Sequence, residues 1–176
     1  MGKEFEFSDS MSTASTADGD GCNTPTHTII TEGGYDTLVT EAVPGPDEVF
    51  VIRNRESGMA ITLIDGQLQL CEGLTPPGGF HWRCVEKEGW LGFRNSVSGT
   101  YIGHDERKRF IARVTHHKPH EYFCVRPHPQ KGGYELLMRH GNELWKMNVG
   151  ADGKSLVETK NEGTTWDFFK TQQPIY

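Results

Sequence analysis

The sequence predicts an all-β domain made of three copies of one four-stranded unit, and three observations carry that prediction. Three stretches begin and end alike: Arg53-Asn54 leads to Trp82-Arg83-Cys84, Arg94-Asn95 to Tyr122-Phe123-Cys124, and Arg139-His140 to Trp166-Asp167-Phe168. The arginine-to-aromatic separations are 29, 28 and 27 residues and successive arginines lie 41 and 45 apart, a period that marks a repeat architecture. Beyond Glu48 the chain falls into short apolar runs with Gly, Asp and Asn punctuation between them, the pattern of a sandwich or barrel. No segment there keeps apolar residues at spacings of three and four over three turns, so helix has no foothold.

The first unit reads as strands over 48–54, 59–64, 67–71 and 80–85, separated by Ser57-Gly58, Asp65-Gly66 and the Pro76-Pro77-Gly78-Gly79 loop. The second reads as 90–95, 100–104, 109–114 and 121–126, broken at Ser98-Gly99, at 106–108 and at 116–120. The third reads as 134–139, 144–149, 155–159 and 165–170, broken at Gly141-Asn142, Ala151-Asp152-Gly153 and Asn161-Glu162-Gly163. Twelve strands in three units are the content of a β-trefoil, a six-strand barrel capped by hairpins. One unit could not bury its own apolar face, so the three must close on a common axis, which also removes most open sheet edges. Leu70, Phe110 and Leu156, with the closing aromatics Trp82, Tyr122 and Trp166, are the expected core. A seven-strand sandwich is the rival architecture, and it leaves the threefold echo unexplained.

The second unit, from Trp90-Leu91-Gly92-Phe93-Arg94-Asn95 through Ser98-Gly99-Thr100-Tyr101-Ile102-Gly103-His104-Asp105 to His120-Glu121-Tyr122-Phe123, resembles the fascin-like, actin-crosslinking-type β-trefoils, in particular small single-domain members from fungi. The resemblance spans residues 48 to 171. It implies the trefoil architecture and a noncatalytic binding role with a protein partner, an actin filament being the specific expectation. Trefoils serve many binding functions, so the activity does not follow from the fold. The alternatives are a carbohydrate-binding trefoil, in which Trp90, Tyr101, Trp145 or Tyr134 would stack on a sugar, and a scaffold of unknown partner. The Gln-x-Trp that ricin-type lectins usually carry in each unit does not occur.

At 176 residues the chain fits one domain with an appendage. Residues 1–26, rich in Ser, Thr, Asp and Gly, read as an acidic tail too poor in apolar side chains to offset the entropy of ordering. Residues 27–47 read as a linker or packed flap, with β-capable pieces at 28–31 and 37–40. Residues 48–171 form the trefoil and 172–176 a C-terminal tail. Residues 1–48 carry one basic residue against ten acidic ones, whereas the remainder carries 17 basic against 14 acidic. So mild a positive charge on the body does not make a nucleic-acid binder. No apolar run is long enough for a membrane span and no signal segment is evident, so the expected location is the cytoplasm.

The four cysteines form no Cys-x-x-Cys pair, and Cys84 and Cys124 are expected to fill equivalent apolar slots, each two residues after its closing aromatic. Six of the eight histidines lie between His104 and His140. They are expected to be surface groups, some of them titrating near neutral pH in the manner the fascin-like resemblance implies. No carboxylate or second histidine pair stands at a spacing that fixes metal geometry, and no nucleophile accompanies an acid and a base, so no catalytic residue, metal or cofactor is expected. Arg53, Arg94 and Arg139 recur too regularly to be chemistry and are read as framework. The candidate contact patch is the basic hairpin Arg107-Lys108-Arg109, flanked by Arg113 and Lys118 and by His104, His116 and His117. Facing outward, these residues would present a positive edge to an acidic partner.

Overall fold

The computed structural model describes residues 27–32, 35–74 and 78–171; the predicted tails 1–26 and 172–176 lie outside them. Fourteen strands follow one another: β1 (His27–Glu32), β2 (Tyr35–Glu41), β3 (Val49–Asn54), β4 (Ala60–Ile64), β5 (Gln67–Cys71), β6 (Trp82–Lys87), β7 (Trp90–Asn95), β8 (Tyr101–His104), β9 (Phe110–Val114), β10 (Phe123–Pro127), β11 (Tyr134–His140), β12 (Glu143–Val149), β13 (Leu156–Thr159) and β14 (Thr165–Thr171). The last twelve match the twelve expected runs. Antiparallel pairing joins β3 to β6, β6 to β7, β7 to β10, β10 to β11, β11 to β14, and β14 back to β3, which closes a six-strand barrel. The hairpins β4–β5, β8–β9 and β12–β13 cap it. They interlock through backbone groups: Leu70 N–H donates to Lys154 O at 2.9 Å and Glu158 N–H to Lys108 O at 3.0 Å. This is a β-trefoil. Strands β1 and β2 pair antiparallel, and β2 pairs along β14, with Phe169 opposite Glu41 and Thr171 opposite Val39.

Alternate residues of each barrel strand point to the axis, where Phe50, Ile52, Trp82, Cys84, Phe93, Phe123, Leu136, Trp166 and Phe168 pack with the cap residues Ile61, Leu70, Ile102, Phe110, Met147 and Leu156. Full burial of side chains this large stabilises by about 1.5–3 kcal/mol each, which is why the units cannot stand apart. Trp82 also donates its indole N–H to Ile61 O at 2.8 Å, so the largest ring in the first unit leaves no unpaired donor.

One expected core residue, Tyr122, is buried as expected but lies outside the barrel cluster. Phe123, not Tyr122, enters the barrel with Trp82 and Trp166, while Tyr122 stacks on Trp90 at 5.7 Å. The expected strand 121–126 begins instead with a 3-10 turn, Pro119–Glu121, in which the Glu121 carboxylate accepts from Lys118 N–H at 3.1 Å. That turn sets Phe123 rather than Tyr122 at the inward position, one residue later than expected. Since strand faces alternate, a one-residue slip exchanges inside for outside. Cys84 is therefore buried in the core and Cys124 only partly covered, and the expected equivalence of the two fails; Val125 takes the slot of Cys84.

The recurring arginines play framework parts. Arg94 Nε donates to Gly99 O at 3.0 Å and Arg139 Nε to Gly141 O at 3.2 Å, each across its own turn. The residue after each arginine is more telling. Asn54 and Asn95 are buried, and their side-chain oxygens accept from Glu56 and Ser57 N–H and from Val97 and Ser98 N–H, fixing five-residue turns as Asx turns do. The third unit turns in two residues between β11 and β12 and has no such loop to hold. Its equivalent residue is His140.

Candidate functional site

Strand β8, the later part of β9 and the 116–121 segment border a cleft of about 310 Å³. Tyr101, His104, Arg113, His116, Lys118 and Glu121 are among the residues that line it. Four of the eight expected contact residues, His104, Arg113, His116 and Lys118, thus meet around one depression. His117 does not join them. It is buried, stacked on Tyr101 at 5.4 Å with the rings 6° from parallel, and its Nε2 lies 3.2 Å from Leu91 O. Burial pushes its pKa below the ordinary imidazole value, so it serves as a backing plate for Tyr101.

The basic tip at 107–109 faces outward as expected, with all three residues exposed, but two of its side chains are engaged. Asp105 turns its carboxylate back on the tip, accepting from Arg107 and Arg109 N–H, and takes the Arg109 guanidinium as an ion pair at 2.8 Å. Lys108 reaches across to the Trp145 ring, its Nζ 4.8 Å from the centroid. Arg109 is thus paired with an acid, whereas Arg107 and Lys108 are exposed with no acidic partner among the described residues.

Of the four aromatics considered for sugar stacking, Tyr101 reaches the cleft. Trp90 lies half-buried over the buried Tyr122, and Tyr134 packs edge-on against Phe168. Trp145 is 8% exposed, with His140 stacked on it at 4.0 Å and Lys108 and Lys160 at 4.8 and 4.9 Å.

Beside the cleft lies a constellation that local sequence reading missed. His104 Nδ1 is 2.8 Å from one oxygen of Glu158 and His140 Nδ1 is 3.1 Å from the other. The side chains of His104 and Glu158 are 7% and 0% exposed, and that of His140 36%. Burial pushes the Glu158 carboxyl up to about 7, with Lys108 opposing and Asp105 adding to the shift. Burial, aided by the neighbouring His120 and His140, drives His104 down to about 4, so its imidazole is neutral at neutral pH. Despite the short distances, neither Nδ1 and neither carboxylate oxygen makes a directed hydrogen bond among the described residues.

Each of the three positions departs from the repeat. Within the cap hairpins Leu63 faces Leu68, His104 faces Phe110 and Val149 faces Leu156, so His104 stands where the other units carry apolar residues. Glu158 follows Leu156 by two, as Ala112 follows Phe110 and Leu70 follows Leu68; again the others are apolar. His140 replaces the turn-fixing Asn54 and Asn95. A comparison of units position by position, rather than a search for spaced motifs, would have found all three.

No family model matches the sequence, and no curated protein is similar to it by sequence. By structure the chain is similar to a ricin B-like lectin of Macrolepiota procera in complex with lactose, with a TM-score of 0.60 and 12% identity over 76% of this chain and 100% of that one. It is similar to SeviL bound to asialo-GM1 saccharide, with a TM-score of 0.55 and 16% identity over 69% of this chain and 94% of that one. It is also similar to a GlcNAcα1-4Gal-releasing endo-β-galactosidase from Clostridium perfringens, with a TM-score of 0.62 and 13% identity over 71% of this chain. There it spans only 33% of the other chain. At such identities the likeness is one of fold. It carries the trefoil half of the resemblance read from the sequence and gives no support to the fascin-like half or to an actin partner.

Proposed function

We propose that the chain is a noncatalytic sugar-binding module that takes its ligand in the cleft beside Tyr101. The observation that carries this reading is one aromatic ring, fixed from behind by His117, at the wall of a concave site whose rim offers the polar groups of Arg113, His116 and Lys118. A braced ring costs little entropy on binding, and a few convergent polar groups around it are what a small-ligand site requires. Two structural neighbours are described with saccharides, which agrees with the reading. The missing Gln-x-Trp places the chemistry outside the ricin-type motif. The cleft carries two cations, Arg113 and Lys118, against one carboxylate, Glu121, which is itself buried, so an acidic saccharide is favoured over a neutral one.

A glycan array carrying neutral, sialylated and sulfated saccharides, followed by calorimetry on the hits, tests this. Expected is a signal biased to acidic glycans that falls roughly tenfold or more in Tyr101→Ala, the loss of one stacking ring. A silent array, or a signal indifferent to both Tyr101→Ala and Arg113→Ala, overturns it.

A further inference from the structure

We propose that His104, His140 and Glu158 form a binding site for a divalent transition-metal ion of the zinc class, with the two Nδ1 atoms and the Glu158 carboxylate as its ligands. Two imidazoles and one carboxylate are the donor set of zinc rather than of calcium or magnesium, which prefer oxygen throughout. The three ligand atoms lie within 4.8 Å of one another, and the two nitrogen-to-oxygen separations are 2.8 and 3.1 Å. Zinc bonds of about 2.0–2.1 Å at tetrahedral angles set donor atoms about 3.3 Å apart, so small side-chain shifts suffice to seat the ion.

The second, independent observation is that two side chains more than nine-tenths buried, His104 and Glu158, aim polar atoms at this point without a directed hydrogen bond among the described residues. Stranded buried polar atoms of this kind cost roughly 1–3 kcal/mol each, a cost a protein keeps where a ligand recovers it. The third is the repeat itself. Three substitutions on three different strands, each departing from what the other units carry at that position, converge on one spot; a framework requirement would have been shared by all three units. The support around the ligands is also in place: Trp145 holds the His140 ring by stacking and is itself held through its indole N–H on Glu143 at 2.8 Å. His120, whose ring centre lies 4.7 Å from that of His104, or a water supplies the fourth position.

The site does not rest on the sugar reading; a protein that binds zinc and is silent on the array would retain it. The full chain, stripped with a chelator, is titrated calorimetrically with zinc chloride, and cobalt(II) is added in parallel to read the visible ligand-field bands of a four-coordinate ion. Expected is one zinc per chain, tetrahedral-type cobalt bands, and a loss of affinity of about 100-fold or more in His140→Asn and in Glu158→Leu. Those variants carry the residues of a sister unit and should fold; melting and circular dichroism check it, and Glu158→Gln provides an isosteric second test. Absence of saturable zinc binding, octahedral-type cobalt bands, or undiminished affinity in any folded variant overturns the proposal.

Discussion

Gly92 shows how closely single residues are drawn in around the cleft. A Cβ placed there would meet the His117 ring at 2.6, 2.8 and 2.9 Å, so the glycine is required by the approach of that imidazole. Gly92→Ala must push the ring away and with it the support of Tyr101. The expected cost is about 1–3 kcal/mol, as for overpacking elsewhere, and denaturant melts will read it alongside weakened saccharide binding. Glu135 presents a different residue-scale balance. Burial pushes its carboxyl up, but hydrogen bonds from Lys146 and Arg126, with ion-pair distances of 2.6 and 2.5 Å, hold its pKa below the ordinary value. A carboxylate whose folded pKa is depressed adds stability that is fully present above its unfolded value near 4.5 and is lost as pH falls through the folded one. Glu135→Gln should therefore cost stability at neutral pH, by roughly 1–2 kcal/mol because Arg126 is largely exposed. Melts from pH 7 down to pH 3 should show the gap between variant and wild type closing.

Among elements, the β8–β9 tip is exposed as expected but more engaged than its own sequence implies. Lys108 sits at φ = 60°, a left-handed conformation that a side chain resists, while its ammonium lies over Trp145. The strain is worth about 1 kcal/mol and the cation–π contact about 0.5–1 kcal/mol, so the two nearly offset. Lys108→Gly should consequently leave stability almost unchanged, whereas Lys108→Ala keeps the strain, loses the contact and should melt lower than Lys108→Gly by about 1 kcal/mol. Equal melting of the two would show that the tip relaxes. The strands themselves were legible because alternation and turn chemistry are local properties: Asn54, Asn95 and Gly141 each mark a turn by what their own atoms do. The face of β10 was not legible, since Tyr122 and Phe123 are equally able to close a unit and only the 3-10 turn before them decides which one points inward. The fate of Arg107, Lys108 and Arg109 was hidden for a similar reason, because Trp145 lies on another hairpin and nothing near the tip announces it.

For the molecule as a whole, the threefold repeat sets a standard against which departures can be measured, and the largest departures coincide at His104, His140 and Glu158. They lie 36 and 18 residues apart, too far for any local motif, which is why the spacing of histidines showed nothing. A sister unit offers the alternative at every position: Leu63 for His104, Asn54 or Asn95 for His140, and Leu70 for Glu158. The present trio places a buried carboxylate among poorly directed partners, and replacing buried polar clusters by packed apolar groups commonly stabilises by 1–4 kcal/mol, here about 1–3 kcal/mol after loss of the His140–Trp145 stack. The triple variant His104→Leu, His140→Asn, Glu158→Leu should therefore melt higher than the wild type in chelator-treated buffer, with one cooperative transition. Added zinc should raise the wild-type melting temperature and leave the variant unmoved, since only an ion bound by the folded state shifts the unfolding equilibrium. A triple variant less stable than wild type in the absence of metal would mean instead that the cluster is part of what holds the second and third units together.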